Sequence, residues 1–135
     1  ISARKGDLVV CEGGEPGRAA VWNKDEPVII QKALHRVRLN DDVLPTYVLY
    51  CLSADAQTGR LEKYFTGSTI KHFTGQSLRT YKFILPPLDE QRRIVAEVER
   101  RLSVVGEVES AVEVGLVRAG RLRQSVLRSA FEGRL

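Results

Sequence analysis

The longest regular pattern in this chain is an amphipathic stretch from Pro87 to about Glu132, with no proline after its first residue. Apolar residues recur in it at a mean spacing close to that of a coiled coil. A helix over this range would be about 69 Å long at about 1.5 Å per residue, whereas a small domain is only about 30 Å across. Because one small domain cannot bury such a helix, the pattern predicts pairing with a partner helix.

The predicted pairing seam consists of apolar residues that share one face of this helix. They are Ile94, Val98, Leu102, Val105, Val108, Val112, Leu116, Ala119, Leu122 and Val126. Residues 97–113 contain five glutamates and two arginines, whereas residues 118–134 contain five arginines and one glutamate. Antiparallel pairing places these oppositely charged halves side by side, so the charge pattern favours an antiparallel coiled coil.

Three glycines, Gly106, Gly115 and Gly120, lie inside the predicted helix. Each costs about 1 kcal/mol relative to alanine in a helix interior. They either let another backbone approach closely, are tolerated in a continuous helix, or mark breaks in it.

Residues 1–86 show the mixed pattern of a small α+β domain. Helix signals begin at Pro45 and recur over 57–65 and 74–78. Short apolar runs between turns predict strands, the first two of them joined as a hairpin, at 8–11, 18–22, 28–30, 33–39 and 81–85. We therefore predict a mostly antiparallel globular domain with short helices over 1–86, followed by the long helix over 87–135.

The composition excludes several classes of protein. No apolar run approaches 18 residues and no signal-peptide pattern is present, which predicts a cytoplasmic protein outside membranes. Cys11 and Cys51 lie in apolar segments without a metal-binding spacing, so buried free thiols are expected. The chain lacks methionine and begins at Ile1 in the middle of a pattern, which indicates a fragment or a processed piece without the N-terminal portion of its globular domain.

No pattern of a catalytic, metal or cofactor site is evident. The glycine-rich run from Gly13 to Arg18 lacks the Gly-Lys-Ser/Thr ending of a phosphate loop. The run Leu85-Pro86-Pro87-Leu88 lacks the Asp or Asn and the aromatic residue that an amino-methyltransferase needs around its prolines. His35 and His72 have no nucleophile in a recognisable pattern, and His35 on an alternating strand is expected to be structural. We predict a protein without catalysis of its own.

Several segments resemble one known family. The run from Leu85 to Ile94, Leu-Pro-Pro-Leu-Asp-Glu-Gln-Arg-Arg-Ile, resembles the junction that ends each target-recognition domain in specificity subunits of type I restriction–modification systems. Residues 5–9, 67–73, 122–127 and 130–135 resemble further segments of the same family. The match spans nearly the whole chain but lacks the usual N-terminal part of a recognition domain.

The resemblance implies a division of labour. Each such subunit carries two recognition domains that read the two halves of a split DNA site, and their antiparallel helices set the gap between the half-sites. Modification subunits with methyltransferase chemistry dock on this scaffold, and restriction subunits join them for cleavage. The implied partners of this chain are therefore double-stranded DNA, both kinds of subunit, and the helix of a second recognition half or of a second copy.

Candidate DNA-binding residues follow from the chemistry of phosphate and base contacts. The 67–72 loop supplies small donors, a cation and an imidazole, although a solvated turn is the alternative. The first hairpin and the link between two later strands supply the others, with a core position as the alternative for the tryptophan. The full set is Ser68, Thr69, Lys71, His72, Arg18, Trp22, Lys24, Gln31 and Lys32.

A second hypothesis is an assembly module whose coiled coil matters and whose head docks another protein. Residues 1–86 carry 12 basic and nine acidic side chains, a balance compatible with nucleic acid. Basic residues clustered on one surface favour DNA recognition, whereas an exposed apolar patch favours protein docking.

Overall fold

A computed structural model describes residues 1–133 in two compact units, Ile1–Val95 and Ala96–Leu135. Arg134 and Leu135, which end the C-terminal family match and the predicted helical domain, lie outside the described residues. The strands are β1 Ser2–Ala3, β2 Leu8–Cys11, β3 Ala19–Val21, β4 Val28–Ile29 and β5 Leu34–Val37. The helices are α1 Pro45–Gln57, a 3-10 turn at Glu62–Tyr64, α2 Gly75–Arg79 and α3 Leu88–Phe131.

The first unit is built on two small antiparallel sheets. β1 pairs with β4, and β2 lies between β3 and β5 in a three-stranded sheet. In the register of that sheet, Val10 pairs with Ala19 on one side and with His35 on the other. The structure confirms the predicted hairpin, which β2 and β3 form, and the predicted α+β class with mostly antiparallel strands. β1 was not predicted from the sequence.

One face of the three-stranded sheet forms the core. Leu8 and Val10 alternate with less buried neighbours along β2, as expected for a strand with one face on the core. α1 packs on this sheet, and its buried face contributes Val48 and Leu52. The fully buried ring of Phe73 completes the cluster. Burial of these apolar side chains is the main contribution to the stability of so small a unit.

Gln91, from the first turns of α3, is fully buried and joins three segments of the first unit. Its Oε1 accepts the backbone N–H of Leu44 at 2.8 Å, at the start of α1. Its Nε2 donates to the carbonyl oxygens of Asp42 and Pro86, both at 2.9 Å. Because Leu44 provides no side-chain cap and Pro45 has no N–H, this amide satisfies the donor left at the start of α1.

The predicted strand at 81–85 is wrong. The segment 81–87 has no regular secondary structure, and side chains rather than a neighbouring strand satisfy part of its backbone. The hydroxyl of Tyr47 donates to the Ile84 carbonyl at 2.8 Å, and the hydroxyl of Tyr64 accepts the Lys82 N–H at 3.2 Å. The aromatic side chains that suggested a strand instead pack on other rings, as Tyr81 does on Phe83 at 5.7 Å.

A buried carboxylate fixes the turn before β2. The side chain of Asp7 accepts two hydrogen bonds from Arg38, at 2.7 and 2.6 Å, and one from the Arg4 N–H at 2.8 Å. The Arg38 guanidinium is the main reason that the pKa of Asp7 lies below its ordinary value. The residues just after β5 are therefore tied to the turn that leads into β2.

The cysteine and helix predictions at the remaining positions were partly right. Cys11 and Cys51 are free thiols, as expected, but they are half-buried rather than buried. The predicted helix at 57–65 is a short 3-10 turn, since α1 already extends to Gln57.

The long helix is continuous from Leu88 to Phe131, so Gly106 and its two companions do not break it. In the part that belongs to the second unit, all residues from 99 to 128 are exposed. Nothing lies within 4 Å of a side-chain carbon placed at Gly106, Gly115 or Gly120. Within residues 1–133, no helix is both long and apolar enough to cross a membrane.

Candidate nucleic-acid interface

The predicted DNA-binding loop is the tip of a tight hairpin, here called the recognition hairpin, residues 66–72. Its base is closed by two backbone hydrogen bonds between Thr66 and His72, at 2.8 and 2.9 Å. Gly67 has a φ of +92°, and a side-chain carbon there would collide with the Ile70 carbonyl oxygen. Only glycine fits this turn, and the turn leaves Ser68, Thr69 and Lys71 exposed.

Contacts with the sheet hold the recognition hairpin in place. The Phe73 N–H donates to the Glu12 carbonyl at 2.7 Å, and the ring of His72 lies against Gly13, where an added side-chain carbon would be 3.3 Å from Nδ1. The Nε2 of His35 lies 3.0 Å from the Phe73 carbonyl, so it carries the hydrogen and donates it. The structural role predicted for His35 is therefore borne out by this contact.

Seven of the nine predicted DNA-binding residues lie at one end of the three-stranded sheet, where β2 ends at Cys11. Arg18 precedes β3 and lies beside Cys11, because the Cys11 N–H donates to the Arg18 carbonyl at 2.8 Å. Gln31 and Lys32 precede β5. The residue that follows them, Ala33, accepts the Glu12 N–H through its carbonyl at 2.9 Å, next to the end of β2. The recognition hairpin contributes the other four.

Trp22 and Lys24 lie at the opposite end of the sheet. The Gly6 N–H donates to the Trp22 carbonyl at 2.8 Å, next to the start of β2. Trp22 is half-buried rather than part of the core, and its Nε1 donates to the Glu26 carbonyl at 2.9 Å. The Nζ of Lys24 lies 5.6 Å from the centre of its ring, within the range of a cation–π contact.

The charge available for DNA differs among these residues. Arg18 forms an exposed ion pair with Glu15 at 2.7 Å, which leaves little net charge at that position. Among the described residues, Lys32 and Lys71 form no hydrogen bond or ion pair through their side chains. Their ammonium groups therefore remain free to bind phosphate.

An exposed apolar cleft covers the outer face of the sheet. It has a volume of about 500 Å³ and is lined by residues that include Val9, Trp22, Ile29, Gln31 and Leu34. Ile29 is 83% exposed. Gln31 is the polar side chain in this wall, so it lies at the border between the apolar cleft and the polar end of the sheet.

Sequence reasoning missed one group of cations, Arg60, Lys63 and Lys82, which line a cleft with Tyr64 and Phe83. The signal was present, because Lys63-Tyr64 and Tyr81-Lys82-Phe83 alternate basic and aromatic residues. It was overlooked because the second run was interpreted as a strand.

Within residues 1–133, no three His, Cys, Asp or Glu side chains are grouped to hold a metal ion.

The predicted helix seam is exposed over most of its length: Leu102, Val105, Val108 and Val112 are each more than half exposed. Ile94 and Val98, at its N-terminal end, are half-buried.

Comparison with known proteins identifies the family. Residues 2–102 match the profile of the type I restriction modification DNA specificity domain. The chain belongs to this family. The matched range contains all five strands, the recognition hairpin and Gln91, so the predicted family resemblance is confirmed.

Curated members of the specificity-domain family include two from Escherichia coli. The chain is 34% identical over 103 residues to the EcoKI specificity subunit of strain K12, covering 76% of this chain and 22% of that subunit. It is 29% identical over 133 residues to the EcoBI specificity subunit, covering 98% of this chain and 28% of the subunit. The chain thus spans about a quarter of the length of these relatives.

A solved structure from a type I R-M system, concerned with complex assembly and conformational transition, is also similar. It matches 99% of this chain with a TM-score of 0.83 and 31% sequence identity, and the match covers 32% of that chain. The fold class is therefore that of a protein from a type I R-M system.

Proposed function

We propose that this chain reads one half of a bipartite DNA site within a type I restriction–modification complex and has no catalytic role of its own. The observation that carries the proposal is the match of residues 2–102 to the DNA specificity domain. Seven candidate contact residues at one end of one sheet support it, because a reading surface must present its polar groups together.

In this proposal the recognition hairpin and the neighbouring turns contact the DNA. Lys71 and Lys32 bind phosphates, since their ammonium groups are exposed and unpaired among the described residues. Ser68, Thr69 and Gln31 are short or amide side chains that can hydrogen-bond base edges in a groove. The ring of His72 lies against Gly13, so His72 helps to position the hairpin and does not extend freely from it.

The long helix acts as the spacer and docking element. The apolar side chains of the seam from Leu102 to Val126 are exposed in the single chain. A second, antiparallel helix with the same apolar periodicity would bury them. That helix comes from a second recognition half or a second copy of the chain. Modification and restriction subunits assemble on the resulting scaffold, as the kinship with type I specificity subunits suggests.

The exposed apolar cleft around Trp22 and Ile29 favours a second candidate function, a protein-docking head on a coiled-coil assembly module. An apolar surface of this kind is typical of protein–protein contact rather than of DNA phosphate contact. The two functions differ in their response to salt, because only DNA binding releases counterions in proportion to the number of phosphate contacts.

The Lys71→Ala variant tests the DNA-reading function. Binding of the full chain to duplex DNA is measured by fluorescence anisotropy across a range of salt concentrations. We expect weaker binding to all sequences, and a plot of log K against log salt whose slope is shallower by about 0.9, the value for one lost phosphate contact.

The matched control is Lys5→Ala, which removes one positive charge at the opposite end of the sheet, where Lys5 pairs with Asp25. Its slope should equal that of the parent chain. An unchanged slope for Lys71→Ala, or an equal loss of slope in both variants, would remove Lys71 from the interface. A parent chain indifferent to DNA would instead favour the docking module.

A further inference from the structure

A second basic surface lies in the first unit, between α1 and the extended segment 81–87. A cleft of about 440 Å³ opens there, with Arg60, Lys63 and Lys82 among its lining residues. Its aromatic walls include Tyr64 and Phe83. None of these residues belongs to the DNA-binding set predicted from the sequence.

The cleft has an excess of positive charge. Asp55 is the one carboxylate among its lining residues. One of its oxygens accepts a hydrogen bond from Arg60 at 2.6 Å and the other from the Tyr81 hydroxyl at 2.9 Å. Burial opposes ionisation, but these two bonds hold the pKa of Asp55 below its ordinary value. Asp55 is therefore ionised and neutralises Arg60, which leaves the charges of Lys63 and Lys82.

Tyr64 contacts both lysines without neutralising them, Lys63 through its ring and the backbone of Lys82 through its hydroxyl. The Nζ of Lys63 lies 5.1 Å from the centre of the Tyr64 ring, and the Lys82 N–H donates to the Tyr64 hydroxyl at 3.2 Å. Within the described residues, no carboxylate pairs with either ammonium group. Both lysines line the cleft, so an anion bound there would be attracted by two positive charges.

The cleft borders the recognition hairpin. Only two residues separate Lys63 from Thr66 at the base of that hairpin, so the three steps between them span about 10 Å at most along an extended chain. The ring of Tyr64 also packs on Phe73, the residue that follows the hairpin, with ring centres 6.3 Å apart. One aromatic side chain thus supports both the cleft and the hairpin.

We infer that this cleft binds a phosphate of the DNA backbone beside the half-site, through Lys63 and Lys82. The inference rests on the proposed function and extends its interface. Contacts to phosphates fix the register of a protein on the duplex, while contacts to bases specify the sequence. A cationic cleft rigidly joined to the recognition hairpin fits the first role.

The test compares three double variants of the full chain. Lys63→Gln with Lys82→Gln removes the cleft charge, Lys63→Arg with Lys82→Arg keeps it, and Arg4→Gln with Lys5→Gln removes the same charge at the opposite end of the sheet. The lysines of the cleft are exposed, and the Lys82 N–H remains in every variant, so thermal unfolding should be unchanged.

We expect the glutamine variant of the cleft to lose about 0.9 units of salt slope on duplex DNA, the value for one phosphate contact. The affinity ratio of parent to variant should then shrink about 3.5-fold between 50 and 200 mM salt. The arginine variant should retain the parent slope. An equal loss in the Arg4/Lys5 control, or none in the cleft variant, overturns the inference while the proposed function stands.

A titration with inorganic phosphate separates a DNA site from a site for free phosphate. Amide NMR shifts at Tyr64 and Lys82 are followed at constant ionic strength. We expect no saturable change below millimolar phosphate, because a DNA phosphate gains its local concentration from the hairpin contacts. Tight phosphate binding together with an unchanged salt slope on DNA would assign the cleft to a free anion. Absence of any DNA binding by the parent chain would overturn the proposed function itself.

Discussion

At the scale of single residues, Gln91 shows how a polar side chain can organise a small core. Its amide makes three hydrogen bonds to backbone groups of Leu44, Asp42 and Pro86. A buried amide with all these partners satisfied is stabilising, whereas a loss of the amide leaves three backbone groups without partners. The Glu-Gln pair that marks the family in the sequence therefore includes a structural residue.

Replacement of Gln91 by alanine should lower the free energy of unfolding of the first unit by about 3 kcal/mol, because a donor and two acceptors lose their partners in a buried place. Urea unfolding followed by the fluorescence of Trp22, the only tryptophan, measures this. Arg92→Ala is the control, since Arg92 is exposed and forms a surface ion pair with Asp89; its effect should stay within about 0.5 kcal/mol. Equal effects of the two changes would contradict the anchoring role.

At the scale of elements, the segment 81–87 and the helix α3 illustrate two ways in which backbone N–H and C=O groups find hydrogen-bond partners. α3 satisfies its own hydrogen bonds, so its periodicity predicts it well. The extended segment depends on hydroxyl groups from Tyr47 and Tyr64, which lie 37 and 18 residues away. A strand pattern alone does not reveal whether a strand or a side chain will serve as the partner.

The pairing of α3 is testable with two double variants. Val105→Glu with Val112→Glu should abolish self-association of the chain in sedimentation equilibrium, because both residues lie on the predicted seam and would bury charge. The head should stay folded, as the Trp22 fluorescence would report.

The control uses Val114→Glu with Val117→Glu. At 100° per residue, these positions lie about 180° and about 120° around the helix from Val105, so they fall outside the seam. This variant should still self-associate. If the seam variant still pairs, or if both variants fail alike, the predicted seam is wrong.

At the scale of the whole molecule, the distribution of charge along α3 bears on how two chains would meet. The half from Glu97 to Glu113 is acidic and the half after Arg118 is basic. Within the acidic half, Arg100 and Arg101 both bind Glu97 and lower its pKa to about 2. These local pairs lie on the exposed surface and contribute little to stability, so the charge pattern acts mainly on the choice of orientation.

Spin labels at equivalent positions of two chains distinguish the orientations. Single cysteines replace Arg100 or Arg128 in a chain whose Cys11 and Cys51 are changed to serine. In an antiparallel pair, at least one of the two label distances must reach about 40 Å, whatever the register, since 28 residues span about 42 Å of helix. Short distances for both labels would establish a parallel pair.

Sequence patterns among neighbouring residues were enough to predict the long helix, the first hairpin and the family. Each of these depends on a repeat or a motif whose residues are close in sequence. The burial of Gln91, the grouping of the recognition hairpin with the turns before β3 and β5, and the cationic cleft around Tyr64 depended on the fold. They consist of contacts between residues that are far apart along the chain, and a local pattern leaves such partners undetermined until the core has brought the segments together.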